Sequence, residues 1–191
     1  MKYFKWAFLS VALVAGYASA ADADTATTSD DSSFFSGITL GAGYAQDRVF
    51  NDTLVGYSVY SKAYIVPSLK DYLFTDFRVT HTTDDVANIQ QGKTGPVQIS
   101  KLDLERYQAS IGVDYPFQVT KSIQMKPYLT GGWSWDKFEF ESRSRHEDGF
   151  MGAVGVETVF GRHVSTDLGY SDQLTGDVQI HQFMLDVGYK F

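Results

Sequence analysis

The feature that most limits what this chain can fold into is a period of two. From residue 34 onward apolar and polar residues alternate in one segment after another, the pattern of strands that bury or present a single apolar face. Eight such segments are predicted. Residues 34–44 carry Ile38, Leu40, Ala42 and Tyr44 on one side, and residues 54–66 carry Val55, Tyr57, Val59, Ala63 and Ile65. Residues 72–82 set Leu73, Thr75, Phe77 and Val79 against Asp76, Arg78 and Thr80; residues 105–115 set Tyr107, Ala109, Ile111, Val113 and Tyr115 against Arg106, Gln108, Ser110, Gly112 and Asp114. Residues 123–136 are weaker, with Pro127 and Gly131 interrupting Met125, Leu129, Trp133 and Trp135. Residues 149–160, 164–171 and 178–191 complete the series, the last with Phe183, Leu185, Val187, Tyr189 and Phe191 on one face.

The segments are about the ~10 residues that a tilted strand needs to cross a bilayer. Connections 67–71, 116–122 and 161–163 are short, whereas 47–53, 83–104, 138–148 and 172–177 are mostly longer and polar. That asymmetry fits a barrel with short periplasmic turns and longer outer loops. Aromatic residues gather at both strand ends: Tyr44, Tyr57, Tyr107, Trp133, Trp135, Phe150 and Tyr170 at one, and Phe34, Tyr115, Phe160, Tyr189 and Phe191 at the other. Amphipathic rings favour the two membrane–water interfaces. A soluble secreted barrel would show the same alternation with its faces reversed. The two aromatic ends, the unequal connections and a strand finishing on Phe191 favour the membrane form. The expected fold is all-β: a closed eight-stranded antiparallel up-and-down transmembrane β-barrel.

Ahead of the strands, Lys2 and Lys5 precede an apolar run from Trp6 to Tyr17, and Ala18-Ser19-Ala20 follows. A charged start, a short apolar middle and a small-residue exit define a secretory signal peptide over residues 1–20; the run is shorter than a spanning helix requires. Residues 21–33 are acidic, rich in Ser and Thr, and read as a flexible periplasmic tail. Residues 34–191 form the barrel. The chain has no cysteine, hence no disulfide framework. Without Lys2 and Lys5, 14 Lys+Arg face 23 Asp+Glu, a balance of −9 that argues against nucleic acid as a partner.

The run Phe183-Met184-Leu185-Asp186-Val187-Gly188-Tyr189-Lys190-Phe191 resembles the terminal-strand signal of bacterial outer-membrane proteins. The resemblance implies that Phe183, Leu185, Val187, Tyr189 and Phe191 are read by the barrel-assembly machinery. More widely, Gly149-Phe150-Met151-Gly152-Ala153-Val154-Gly155-Val156, Thr166-Asp167-Leu168-Gly169-Tyr170 and Val187-Gly188-Tyr189-Lys190-Phe191 resemble the small OmpX/Ail-type barrels. In that branch the outer strand edges and loops serve adhesion, host-surface contact or resistance to host defences. The resemblance therefore implies a bacterial outer-membrane location, reached through the periplasm, with possible contribution to envelope integrity. Expected partners are outer-membrane lipid, lipopolysaccharide, the assembly machinery and a host surface protein or glycan, with the barrel a monomer.

Eight strands enclose just enough space for side chains to fill it. The inward positions carry Lys62, Arg78, Arg106, Lys126 and Lys190 against Asp76, Asp114, Asp136, Glu157, Asp167 and Asp186. Unpaired charges away from water are costly, so a cross-lumen network that plugs the barrel is expected. A small channel for ions or solutes is the alternative reading. A lipid A-modifying enzyme is a lesser one: some small outer-membrane barrels that resemble this chain modify lipid A, one with a lipid-facing His-x-Ser pair. His163-Val164-Ser165 has that spacing, but it falls at a periplasmic turn with Ser165 on the lumen face. No catalytic residue is assigned. His81, His146, His163 and His181 lack ligand spacing, so no metal site or cofactor is expected. Gln91-Gly92-Lys93-Thr94 lacks the earlier glycine of a phosphate loop, Ala87 standing in its place.

Binding is expected at the outer loops. In 83–104, Val97, Ile99, Leu102 and Leu104 recur, so strands three and four are expected to project as a hairpin whose edge can accept another strand. Residues 138–148 mix charges with two phenylalanines. Lys93, Phe138, Phe140, Arg143 and Arg145 are the candidate surface-binding residues, the arginines suited to phosphate or glycan groups.

Overall fold

Alternating residues place neighbouring side chains on opposite faces, and a sheet with one face apolar closes when its first and last strands meet. The computed structural model describes residues 37–49, 52–64, 72–88, 98–140 and 143–191. The expected signal peptide and acidic tail lie outside these residues. The described strands are β1 (Ile38–Val49), β2 (Asp52–Ala63), β3 (Leu73–Asn88), β4 (Gln98–Asp114), β5 (Phe117–Thr120), β6 (Ile123–Phe140), β7 (Arg143–Phe160), β8 (Val164–Gln173) and β9 (Ile180–Lys190). Consecutive strands pair antiparallel. β4 bypasses the short β5 to pair with β6, and β1 pairs with β9 from Thr39↔Lys190 to Val49↔Ile180. The result is a closed eight-stranded antiparallel barrel, with β5 a spur in the β4–β6 turn.

Several boundaries differ from the sequence expectation. Residues 83–104 and 138–148, read above as loops, are largely strand. β3 and β4 stay paired from Leu73↔Val113 up to Asn88↔Gln98, and β6 and β7 from Ile123↔Phe160 to Phe140↔Arg143. The paired continuation of β3 and β4 agrees with the hairpin expected from Val97, Ile99, Leu102 and Leu104, whereas polar composition hid the β6–β7 extension, which stands above the apolar wall and needs no lipid-facing residues. β1 likewise runs on to Val49 and turns Asp47 inward, although 47–53 was read as a loop. β8 reaches Gln173, β9 begins at Ile180, and β5 occupies part of the expected 116–122 turn.

The two faces of the wall differ sharply. Outward residues such as Ile111 (58%) and Leu129 (58%) are exposed, while inward Arg106 and Asp186 have no exposure. A soluble protein has the opposite arrangement, so this wall requires lipid around it.

The lumen also contains bulky rings, each set opposite glycines. The rings of Tyr60, Phe74 and Tyr128 point inward. A Cβ placed at Gly188 would meet Tyr60 Oη at 2.5 Å, one at Gly112 would meet Phe74 Cζ at 2.5 Å, and one at Gly169 would meet Tyr128 Oη at 2.6 Å. Glycine on one strand thus makes room for a ring from a strand one or two places away in the sheet, which fills a space that aliphatic residues would leave partly empty.

Candidate functional site

The lumen is built in layers. In the layer toward the strand ends near Ala63 and Asp114, Lys62 Nζ donates to Asp114 Oδ2 at 2.9 Å and to Glu157 Oε2 at 2.7 Å. Lys62 also lies 4.0 Å from the centre of the Phe74 ring. Tyr64 Oη donates to Asp114 Oδ2 at 2.5 Å and accepts from Lys126 Nζ at 2.9 Å. The Lys190 ammonium is 5.9 Å from the Tyr64 ring. In the middle layer Arg78 and Ser58 both donate to Asp186, and Arg78 Nε lies 3.9 Å from Asp76 Oδ1. Tyr128 Oη donates to Asp167 Oδ1 at 2.9 Å.

Above them Arg106 donates through Nε to Asp136 Oδ1 at 2.9 Å and through Nη1 to Asp47 Oδ1 at 3.1 Å. Thr82 Oγ1 donates to Asp47 Oδ2 at 2.8 Å, and Ser134 Oγ to Asp136 Oδ1 at 2.8 Å. Over this triad lies an apolar cap formed by Val49, Leu54, Leu104, Phe138, Val178 and Ile180. All eleven charged residues expected inside therefore face the lumen, with Asp76 and Lys190 the less buried of them. Sequence reasoning missed Asp47, Phe74 and Tyr128. Asp47 has the parity of an inward residue (Gly43, Ala45, Asp47), a signal masked by its polar neighbours.

The space left in the lumen is small. A cavity of about 20 Å3 lies among Lys62, Asp76, Arg78, Gln108, Tyr128 and Asp167, room for roughly one water molecule.

The residues expected to signal assembly, Phe183, Leu185, Val187, Tyr189 and Phe191, all face outward and are 40–59% exposed. Tyr189 packs edge-on to Phe191 at 5.0 Å and stacks on His163 at 5.3 Å. Phe191 N donates to Ile38 O at 2.9 Å, so the closing seam continues to that residue. Across the wall from His163, Ser165 is fully buried in the lumen. His163 sits in the turn before β8, outside the strand alternation, and its Nδ1 lies 3.0 Å from Lys190 O. The two side chains of the His-x-Ser spacing are therefore on opposite sides of the wall. His81, His146, His163 and His181 stand on β3, β7, the β7–β8 turn and β9 respectively.

On the outer side, β2 stops pairing with β3 at Val55↔Thr83, and β8 stops pairing with β7 at Gln173↔Met151. β4 and β6 remain paired to Leu102↔Phe140. Among the described residues, β3 and β4 continue beyond that row as a two-stranded hairpin, from Asp85↔Lys101 to Asn88↔Gln98. Residues 85–88 of β3, on the side away from β4, and residues 143–148 of β7, on the side away from β6, have no second strand partner among the described residues. Lys137 on this extension donates to Glu139 and lies 3.8 Å from Glu105; the hydrogen bond to Glu139 raises its pKa above the usual lysine value. Phe138, Phe140, Arg143 and Arg145 come together at the β6–β7 tip, while Lys93 lies outside the described residues.

A closed eight-stranded barrel with an apolar outer wall and a polar interior is a transmembrane barrel of the outer-membrane type. The chain matches the profile of the outer membrane protein beta-barrel domain over residues 7–191 and belongs to that family, and its location is the bacterial outer membrane. Two solved structures share the fold. The attachment invasion locus protein Ail of Yersinia pestis, in complex with the heparin analogue sucrose octasulfate, is 18% identical, with a TM-score of 0.53 over 82% of this chain and 99% of Ail. The outer membrane protein OprG of Pseudomonas aeruginosa is 12% identical, with a TM-score of 0.57 over 82% of this chain and 96% of OprG. No curated protein sequence matches significantly.

Proposed function

We propose that this barrel is a surface-interaction protein, which serves adhesion, colonisation or host-defence resistance through the sheet that projects from its outer rim and contributes to envelope integrity through its lipid-embedded wall. The observation that carries this reading is the outer extension of the sheet, where the β3–β4 hairpin is open along residues 85–88 and β7 is open along residues 143–148 on the side away from β6. Backbone groups along such an edge are ready to pair with a strand from another protein. The binding of a heparin analogue by Ail supports a surface role for a barrel of this shape. The lumen network serves as a structural plug: it crosses between strands, and the cavity beside Lys62, Arg78 and Asp167 has room for roughly one water molecule. The outward row of the last strand serves the assembly machinery, as its terminal pattern implies, and the separation of His163 from Ser165 supports a non-enzymatic role.

The test is adhesion by bacteria that display either the full protein or a shortened form. In the shortened form Asn-Gly replaces residues 87–99, joining the paired Val86 and Ser100 by a two-residue turn. Adhesion to matrix-coated surfaces is expected to fall about tenfold, a loss of roughly 1.4 kcal/mol of contact, while heat-modifiable gel migration still reports a folded barrel. Undiminished adhesion by a folded, shortened barrel would overturn the proposal.

A further inference from the structure

At the outer mouth, where the start of β2, Val178 ahead of β9 and the paired ends of β6 and β7 come together, a cavity of about 460 Å3 opens to solvent. Its floor is apolar: Leu102, Phe138, Phe140 and Val178. Phe138 and Val178 belong to the cap that also holds Val49, Leu54, Leu104 and Ile180, so the floor is anchored in buried packing and preformed. Such a volume lies within the ~300–1,000 Å3 of small-molecule sites, which combine apolar walls with a few polar groups.

The rim supplies those polar groups. Arg145 is engaged by Glu147 and by Asp177, the latter at 3.4 Å. Arg143, exposed beside it, has no hydrogen bond or ion pair among the described residues. One uncommitted guanidinium offers a planar fork that matches a single carboxylate through two parallel hydrogen bonds. Asp52 on the lining, Asp177 and Glu147 nearby, and a chain charge of −7 all oppose a polyanion. The neighbouring rings of Phe138 and Phe140 favour a flat ligand, which gains from edge or offset contact with them. We infer that this cavity binds an aromatic monocarboxylate, its ring on the Phe138–Phe140 floor and its carboxylate on Arg143.

This site is distinct from the strand edges, and the shortened hairpin described above keeps Leu102, so the two readings fail separately. The test uses the full barrel in lipid nanodiscs, titrated with 2-naphthoate by calorimetry against empty nanodiscs. Saturable binding above the empty discs is expected. Arg143→Ala should weaken it about tenfold or more, the scale of one charge-assisted hydrogen-bonded contact. Phe140→Ala should weaken it similarly. The neutral 2-naphthalenemethanol should bind the native barrel at least about tenfold more weakly and be indifferent to Arg143→Ala. Heat-modifiable migration verifies that each variant is folded. No binding above empty nanodiscs, equal binding of the alcohol, an unaffected Arg143→Ala variant, or displacement of naphthoate by lower concentrations of sucrose octasulfate would each overturn the inference.

Discussion

Arg106 has no solvent exposure, and its guanidinium joins two carboxylates from strands on either side of the barrel, Asp47 on β1 and Asp136 on β6. Two charges removed from water are tolerable only while each is paired and hydrogen-bonded. Arg106→Met keeps much of the volume but leaves Asp47 and Asp136 facing one another without their cation. The expected cost is about 3–5 kcal/mol, the scale of an uncompensated buried charge, read as a lower urea midpoint for unfolding from lipid bilayers. Adding Asp47→Asn and Asp136→Asn should recover much of that loss, since the orphaned charge is then gone. A variant as stable as the native barrel would mean that the triad contributes nothing to closing the lumen. Rings and glycines follow the same spatial logic without charge: Tyr60 occupies space that any side chain at Gly188 would contest.

Among the elements, β3, β4, β6 and β7 each divide into a membrane part and an extension. The lower parts are paired on both sides; the tips of β3 and β7 are paired on one side only. Open edges exchange their amide hydrogens sooner than doubly paired strands. At the extension Lys101 lies 2.9 Å from Asp103. Partial burial pushes the Asp103 carboxyl up, but the neighbouring Lys101 ammonium and Thr83 hydroxyl prevail and hold it below its ordinary value. A folded value below the unfolded one stabilises above the usual carboxylate range, near ~3.9, and is lost as pH falls through the folded value. Amide protection at the extension should therefore stay constant from about pH 8 to pH 5 and decline only below about pH 4. Protection lost already near pH 6 would show that another group governs the tip.

The described strands form an apolar wall, a charged interior and a projecting extension. Three charged layers lie beneath an apolar cap, and the proposed role of these layers is to plug the lumen. The barrel in a planar bilayer should accordingly give no steady open-channel current. Sustained conductance steps would contradict the plug and restore the channel reading. At the rim, the sheet edges and the Phe138–Arg143 cavity are the two separate surfaces proposed for binding.

Alternation marked the eight principal strands and sorted their residues onto two faces, because period-two geometry assigns a face to each residue independently of its neighbours in space; the aromatic ends and unequal connections were needed to turn the charged face inward. The terminal pattern at Phe183 to Phe191 pointed to the same class of barrel. Which charge pairs with which was a tertiary matter: Lys62 is 52 residues from Asp114 and 95 from Glu157, and only the curvature and register of the closed sheet bring them together. The same holds for Asp47, which polar neighbours made look like a loop until β9 and β2 fixed its strand. The β6–β7 extension was equally hidden, since strands above the membrane have no lipid-facing wall to enforce apolar alternation. Composition marked where the apolar wall runs out; pairing between β4 and β6 decided that the chain keeps going as sheet.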